Sequence, residues 1–495
     1  MTPTNDLHLN PNACYRALSA RDARFDGLFF FGVQSTGIYC RPVCKARTPL
    51  ARNCHFFAHP AQAERGGFRP CLRCRPELAP GQAWRWSTQD ASQMLAHQAL
   101  AWMDQRAPYE GPWAVQALAA RLGVSDRHLR RILHTHLGVT PSQYRQTQRL
   151  LRAKQLLMDT RLPMAKVALL SGFSSTRQFN RAFALHYQLN PTQCRASASS
   201  SDTTRIRLSY RPPFDHPAML AFWRQRAVPG LEWCEAPAAG QETFSRILTL
   251  ETSEGLCHGW LRLQLDANRH EVTVQISDSF WPHLSAVLTR VRWALDLDAD
   301  PSAMEAVLQA DFPQGCGIRV PGAWNGFELA VRAVLGQQVS VAAARTYAQR
   351  LVHSLGTPVS TPWAALTHAF PTPAQVLAAS PDQLGALGIV KQRQKALHAL
   401  AQAVSAGLDL NPGADVAERV QALMALPGIG AWTAQYIAMR AMRWPDAFPA
   451  GDLVVQQRLG VRDAPNPARA ASEWAQRWQP WRSYAVLRLW QTQET

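Results

Sequence analysis

Long apolar runs are missing from this 495-residue chain. Nothing approaches the ~20 consecutive apolar residues that a membrane span needs, and the apolar stretch Leu28 to Val33 has only strand length. Met1 to Asn10 hold no apolar core, so no secretory signal is expected. Countercharge is scarce in the front half. Residues 1–200 carry 26 Lys/Arg against 10 Asp/Glu, a net of +16, whereas residues 201–495 carry 26 against 25, a net of +1. Such a basic front half points to a polyanion, with nucleic acid the first candidate; a merely soluble basic surface is the plainer alternative. With no sign of export, the ten cysteines are expected in a reducing cytoplasm, as metal ligands or reactive thiols rather than disulfides.

What is present is ordinary for folded protein, 47% apolar and 18% charged, in a chain too long for one core. A multidomain α+β protein is expected. Residues 1–84 are rich in Cys, Arg and aromatics, and read as a small zinc-bound α/β domain ending at Pro76, Pro80 and Gly81. Residues 85–195 read as short helices with basic faces, an all-helical domain. Residues 196–204, Ala-Ser-Ala-Ser-Ser-Ser-Asp-Thr-Thr, have linker composition. Residues 205–290 alternate in strand period, as in Arg205-Ile-Arg-Leu-Ser-Tyr210 and Glu271-Val-Thr-Val-Gln-Ile276, and 291–495 turn helical.

Cys40-x3-Cys44 and Cys71-x2-Cys74 are separated by 26 residues. Two close thiol pairs on tight turns can present four sulfurs to one tetrahedral Zn²⁺. A purely structural zinc ribbon is the alternative, but Arg41, Lys45, Arg47, Arg69, Arg73 and Arg75 crowd the ligands, which a site touching phosphate would use. The runs Phe29-Phe-Phe-Gly-Val-Gln-Ser-Thr-Gly-Ile-Tyr-Cys-Arg-Pro-Val-Cys44 and Gly67-Phe-Arg-Pro-Cys-Leu-Arg-Cys-Arg-Pro76 closely resemble the N-terminal domain of the Ada family of bacterial adaptive-response proteins. The resemblance implies that Cys40 takes a methyl group from a methyl phosphotriester in DNA while Cys44, Cys71 and Cys74 hold the zinc with it, and that Arg41 and Arg69 face DNA. Ada proteins often continue into a domain with a Pro-Cys-His-Arg motif; it is absent, so O6-alkylguanine repair is not expected.

Ala117-Leu-Ala-Ala-Arg-Leu-Gly-Val-Ser-Asp-Arg-His-Leu-Arg-Arg-Ile-Leu133 has the grammar of a helix-turn-helix, with a helix ending at Gly123, Ser125 as the next cap, and Arg127, Arg130 and Arg131 on the exposed face. A second unit follows, Met164 to Phe173 and then Arg177-Gln-Phe-Asn-Arg181. The pair resembles an AraC-type DNA-binding domain; simple helical hairpins are the plainer reading of either half alone.

Leu426-Pro-Gly-Ile-Gly430 lies between helical stretches, and the backbone N–H groups around Gly428 and Gly430 can grip a phosphate. Asp452 follows Gly430 by 22 residues. This hairpin, Val331-Arg-Ala-Val-Leu-Gly-Gln-Gln-Val-Ser340, Arg477-Trp-Gln-Pro-Trp-Arg-Ser-Tyr-Ala485 and Tyr210-Arg-Pro-Pro-Phe-Asp215 resemble the AlkA family of 3-methyladenine DNA glycosylases II, over about 205–491. The resemblance implies an antiparallel-sheet domain, then an all-helical helix-hairpin-helix domain in which Asp452 is catalytic and Trp432, Tyr436 and Trp481 line the base pocket; core packing is the plainer role for each Trp. Lyase-type relatives carry Lys where this chain has Trp432, so a monofunctional hydrolase is expected. No cysteine follows Cys316, so no iron–sulfur cluster is expected. The family's apolar wedge position is matched by Gln338, which is polar.

Together these readings describe an alkylation-damage sensor and transcription activator joined to a glycosylase. The expected partners are double-stranded DNA, alkylated and promoter, with RNA polymerase a further one. The expected cofactor is one zinc, with a monovalent or other metal ion at the hairpin when DNA is bound. A monomer in the bacterial cytoplasm, nucleoid-associated through DNA and without membrane contact, is expected. Two alternatives stay open: a sensor and regulator whose glycosylase half only binds DNA, and a zinc-stabilised DNA-binding protein without chemistry.

Overall fold

In the computed structural model, residues 9–81, 91–105, 115–196, 205–236, 242–413 and 415–491 are described. The first part holds α1 (Pro11–Ala20), β1 (Phe30–Val33), β2 (Ile38–Cys40), β3 (Cys54–Phe57), α2 (Pro60–Arg65) and β4 (Arg69–Pro70). Its sheet runs β3-β1-β2-β4, with β2 and β4 parallel and the other pairs antiparallel. Phe29, Phe30 and Phe31 are buried on its two faces, which is why an aromatic run here forms a central strand.

The second part is helical: α3 (Ala91–Gln105), α4 (Val115–Arg121), α5 (Asp126–Leu137), α6 (Pro141–Asp159), α7 (Met164–Leu170), α8 (Thr176–Tyr187) and α9 (Pro191–Ala196). Ser125 caps α5 by accepting from the His128 N–H, and Ser175 caps α8. Gly123 and Gly172 take φ +67 and φ +80 at the two turns, where a side chain would be strained. The long α6 joins the two units.

A five-stranded antiparallel sheet follows, in order β5-β9-β8-β7-β6: β5 (Ile206–Ser209), then α10 (His216–Arg226), β6 (Glu232–Glu235), β7 (Thr243–Thr252), β8 (Gly255–Asp266) and β9 (Glu271–Ile276). The rest is α11 (Leu284–Ala294), α12 (Pro301–Leu308), α13 (Gly326–Leu335), α14 (Val341–Leu355), α15 (Pro373–Ala378), α16 (Pro381–Ala386), α17 (Lys391–Ser405), α18 (Val416–Met424), α19 (Ala431–Arg440), α20 (Leu453–Arg458), α21 (Pro467–Trp474) and α22 (Arg482–Gln491). Helix α13 is central: Arg332 alone among its residues escapes full burial. No helix among the described residues is long and apolar enough to cross a membrane.

The parts follow the expected classes, but two expected boundaries need comment. The break between 290 and 291 falls inside α11, whose Leu284, Val287 and Val291 pack in one core with the sheet; change of period along the sequence does not mark where a core ends. That core also takes in Phe179, Phe183 and Tyr187 of α8. The expected boundary at 84 and, beyond Ala196, the expected linker lie outside the described residues.

Candidate functional sites

Strand register explains the cysteine cluster. Parallel pairing of β2 with β4 sets Tyr39 against Pro70, so the next residues, Cys40 and Cys71, leave the sheet side by side. Cys44 and Cys74 return on the turns that follow, the Cys44 N–H donating to the Arg41 carbonyl at 3.1 Å. The four sulfurs lie within 4.8 Å of one another. Thiolates around Zn²⁺ at ~2.3 Å stand about 3.8 Å apart, so this all-sulfur set fits one tetrahedral zinc. Cys54 is outside it, its Sγ donating to the Leu50 carbonyl at 3.4 Å.

The surrounding cations divide into two groups. Lys45, Arg47 and Arg73 are exposed and Arg69 is half-buried, free to meet a polyanion. Arg41 does not fit its expected role as a DNA contact. Its guanidinium is buried, paired with Asp26, and donates to the Cys74 carbonyl at 3.0 Å, while its N–H donates to Cys74 Sγ at 3.3 Å. It supports the cluster from behind, the cost of burying its guanidinium offset by hydrogen bonds to the Asp26 carboxylate and the Cys74 carbonyl. Arg75 is buried likewise.

On the helix-turn-helix pair, Arg127, Arg130 and Arg131 of α5 and Arg177 and Arg181 of α8 are all exposed, as a groove-reading face requires. Arg130 is held by Asp126 at 2.8 Å, and Arg131 lies 3.0 Å from His128 Nδ1.

The second site is a cavity of about 490 Å³ between α10, α13, α14, α19, α20 and the end of α22, within the range of small-ligand sites. Asp452 caps α20, its Oδ1 accepting from the Val455 N–H at 3.0 Å. The same carboxylate accepts from Trp432 Nε1 at 2.8 Å through Oδ2 and from Trp490 Nε1 at 3.2 Å through Oδ1. Trp432 stacks on Tyr436, centroids 5.2 Å apart and planes 10° off parallel, and Trp490 stands 6.3 Å from Tyr436. Burial alone would raise the Tyr436 phenol, but Arg440, Arg226 and Arg332 outweigh it and bring it below its ordinary range. The cavity thus pairs a fixed carboxylate with a stack of electron-rich rings, a suitable wall for a flat cation.

Trp481 does not belong to it. Its ring packs on Tyr484 at 5.8 Å and lines a separate, smaller cavity with Met439, Met442 and Asp296. It directly precedes α22, whose Trp490 lines the first cavity instead. Trp490 is the aromatic that the sequence reading missed. The only signal was its place on the apolar face of α22 with Ser483, Val486 and Leu487, and such a face ordinarily means core.

The hairpin directly precedes α19, whose Trp432 and Tyr436 line the cavity. Gly428 takes φ +79, and Gly430 is exposed with open space around its Cα, as close approach of a phosphate requires. Gln338, exposed at φ +54, occupies the turn between α13 and α14, flanked by Gly336, Val339 and Val341 of the cavity wall. Its neighbour Gln337 donates to the Gly428 carbonyl at 2.9 Å and to Thr433 Oγ1 at 3.1 Å, and accepts from Arg393. Turn and hairpin are therefore one assembly. No lysine lines the cavity among the described residues.

Comparison with known proteins covers nearly all of the chain. Residues 13–77 match the metal binding domain of Ada, 118–197 a helix-turn-helix domain, 205–325 the AlkA N-terminal domain, and 331–480 the HhH-GPD superfamily of base excision DNA repair proteins. DNA-3-methyladenine glycosylase 2 of Escherichia coli K12 is 33% identical over 58% of this chain and 96% of its own. The bifunctional transcriptional activator/DNA repair enzyme Ada of Escherichia coli K12 is 36% identical, over 29% of this chain and 37% of its own. The probable bifunctional transcriptional activator/DNA repair enzyme AlkA of Mycobacterium tuberculosis H37Rv is 39% identical over 99% of this chain and 97% of its own. With all four domains in order and that identity running end to end, the chain belongs to the family of bifunctional transcriptional activator/DNA repair enzymes in which an Ada-type front half is joined to an AlkA-type glycosylase half.

Proposed function

We propose that this protein repairs alkylated DNA and activates transcription in response to it. Its back half hydrolyses the N-glycosidic bond of alkylated purines of the 3-methyladenine type. The observation that carries this reading is Asp452, held by two indole N–H groups at the wall of an aromatic cavity. An N-alkylated purine is cationic, so its bond to the sugar is weak and little acid assistance is needed. Gly428 and Gly430 grip the DNA backbone phosphate, the base is flipped out with the help of Gln338, and it stacks on Trp432, Tyr436 and Trp490. The C–N bond breaks with its electron pair going to the base. Asp452 stabilises the oxocarbenium sugar, and water adds to C1′ and loses a proton. With Trp432 where a lyase would place an amine, the reaction is hydrolysis alone.

In the front half, Cys40 Sγ attacks the methyl carbon of a methyl phosphotriester. The S–C bond forms, the C–O bond breaks, and the phosphodiester anion leaves. A bound zinc would keep the thiols of Cys40, Cys44, Cys71 and Cys74 deprotonated, and thiolate is the nucleophilic form. Arg69, Arg73, Lys45 and Arg47 hold the DNA backbone, while Arg127, Arg130, Arg131, Arg177 and Arg181 read the promoter. RNA polymerase is the partner that activation implies, the protein acts as a monomer, and a cation at the hairpin in the DNA complex is part of the same proposal.

The test is release of free 3-methyladenine from alkylated duplex by the purified protein, alongside intact mass after the same incubation. Release together with one added methyl on Cys40 supports the reading. Binding of alkylated duplex without release would leave a regulator with an inert back half.

A further inference from the structure

A line of buried ion pairs leads from the cysteine cluster into both other parts of the molecule. It begins on the backbone that carries two of the thiols. Lys154, fully buried on α6, donates to the Cys71 carbonyl at 3.1 Å and pairs with Glu77. Arg75 directly follows Cys74, pairs with the same Glu77 at 2.8 Å, and reaches Asp159 at the end of α6 at 2.6 Å. Asp159 also accepts from Arg207 Nε and Nη2, both at 3.2 Å. Arg207 lies on β5, the edge strand of the glycosylase half, and its carbonyl accepts from Gln155 of α6 at 2.8 Å. Away from this line, the same two halves also meet where the Gly81 N–H donates to Asp298 at 2.7 Å.

Buried ion pairs are costly to assemble and respond strongly to a neighbouring charge, because little water screens them. The line contains three cations, Lys154, Arg75 and Arg207, and two carboxylates, Glu77 and Asp159. One cation is in excess, and Arg75 Nη2 is buried with no hydrogen-bond partner. Lys154 also feels the Glu64 carboxyl, and it and Arg75 lie on the backbone that carries the thiolates of Cys71 and Cys74, so the charge of the cluster acts on the same line. Four thiolates on a dication carry a formal charge of about −2, and a methyl on one leaves about −1. Lys154 and Arg75 would then draw Glu77 and Asp159 harder, and Asp159 would have less to offer Arg207.

We infer that Lys154, Glu77, Arg75, Asp159 and Arg207 couple the alkylation state of the cysteine cluster to the glycosylase half. Methyl acceptance tightens α6 on the cysteine loop and loosens the contact of α6 with β5, so the sensing event also changes how the repair half is held. This rests on the reading of Cys40 as methyl acceptor.

The experiment uses the full-length zinc-loaded protein, methylated on methyl-phosphotriester DNA, freed of DNA and compared with unmethylated protein by hydrogen exchange. Methylation is expected to speed exchange of residues 205–209 several-fold in the wild type. Arg207→Gln removes only the last link; its side chain is partly exposed, so the fold should tolerate the loss. In that variant 205–209 should exchange fast from the start and ignore methylation, while residues 71–77 still respond. Asp159→Asn should break the response at both ends but can fail to fold, since it strands Arg75, so Arg207→Gln carries the test. A wild type methylated by intact mass but unchanged at 205–209, or an Arg207→Gln that responds as the wild type does, overturns the coupling. If intact mass and peptide mapping find no methyl on Cys40, the methyl-acceptor reading fails first and the coupling falls with it.

Discussion

The indole N–H of Trp490 donates to Asp452 Oδ1 at 3.2 Å, across 38 residues of chain. With Trp432 on the other oxygen at 2.8 Å, the carboxylate is aimed by two donors on separate helices. Removing the donor while keeping a ring separates aiming from stacking. Trp490→Phe is expected to lower the excision rate about tenfold or more, since a hydrogen bond to a charged group is worth ~1.5–3 kcal/mol. Affinity for alkylated duplex should change far less. Single-turnover rates and equilibrium binding of the two proteins check both halves of this expectation.

Asp452→Asn should go further. Losing a preorganised charge beside the developing oxocarbenium costs ~10²-fold or more, while Gly428, Gly430 and the aromatic stack still hold DNA. Excision within about tenfold of wild type would remove Asp452 from its role. Trp481→Phe serves as the control, because its ring packs on Tyr484 in another cavity; its excision rate should stay within a few-fold of wild type.

Glu232 and Glu328 clamp Arg246 at 2.8 and 2.7 Å, all three buried, and Arg332 closes the network between the sheet and α13. Breaking one partner leaves an uncompensated charge. Arg246→Met is expected to destabilise the glycosylase half by about 3–5 kcal/mol in urea titrations. A loss under 1 kcal/mol would mean that the carboxylates find other partners.

Glu64 of α2 joins the cysteine part to α6, accepting from Thr147 Oγ1 at 2.6 Å and from the Tyr39 hydroxyl at 3.1 Å. Burial pushes its carboxyl up to about 7, against the opposing pull of those hydrogen bonds. Because the folded value lies above the unfolded one, its contribution is fully present below the ordinary carboxylate range and is lost as pH rises through about 7. Relative to Glu64→Gln, the wild type should therefore lose stability on the order of 3 kcal/mol between pH 5 and 8.5. Parallel pH–denaturation curves for the two proteins would refute the shift.

Metal removal gives a further check. Four sulfurs within 4.8 Å of one another make up much of a small core, so chelation should unfold residues 9–81 and abolish methyl uptake together. Methyl uptake that survives complete zinc loss would argue against thiolate activation by the metal.

Chemistry written in residue spacing was legible without coordinates. The cysteine quartet, the paired helix-turn-helix units and the hairpin with its trailing aspartate are local patterns, and a local pattern needs only short-range geometry to state its meaning. Backbone turns at Gly123, Gly172 and Gly428 belong to the same class, since glycine takes a positive φ without steric cost. Tertiary structure alone decided which side chains those patterns bring together. Arg41 and Arg75 look like DNA contacts in a basic stretch, yet Asp26, Glu77 and Asp159 bury them, and those carboxylates lie up to 84 residues away. Trp481, just before α22, and Trp490, within it, look interchangeable; packing turned the first toward Tyr484 and the second toward Asp452. A buried charge or ring takes its role from whatever packs against it, and that neighbour is set by the fold of the whole chain rather than by the sequence around it.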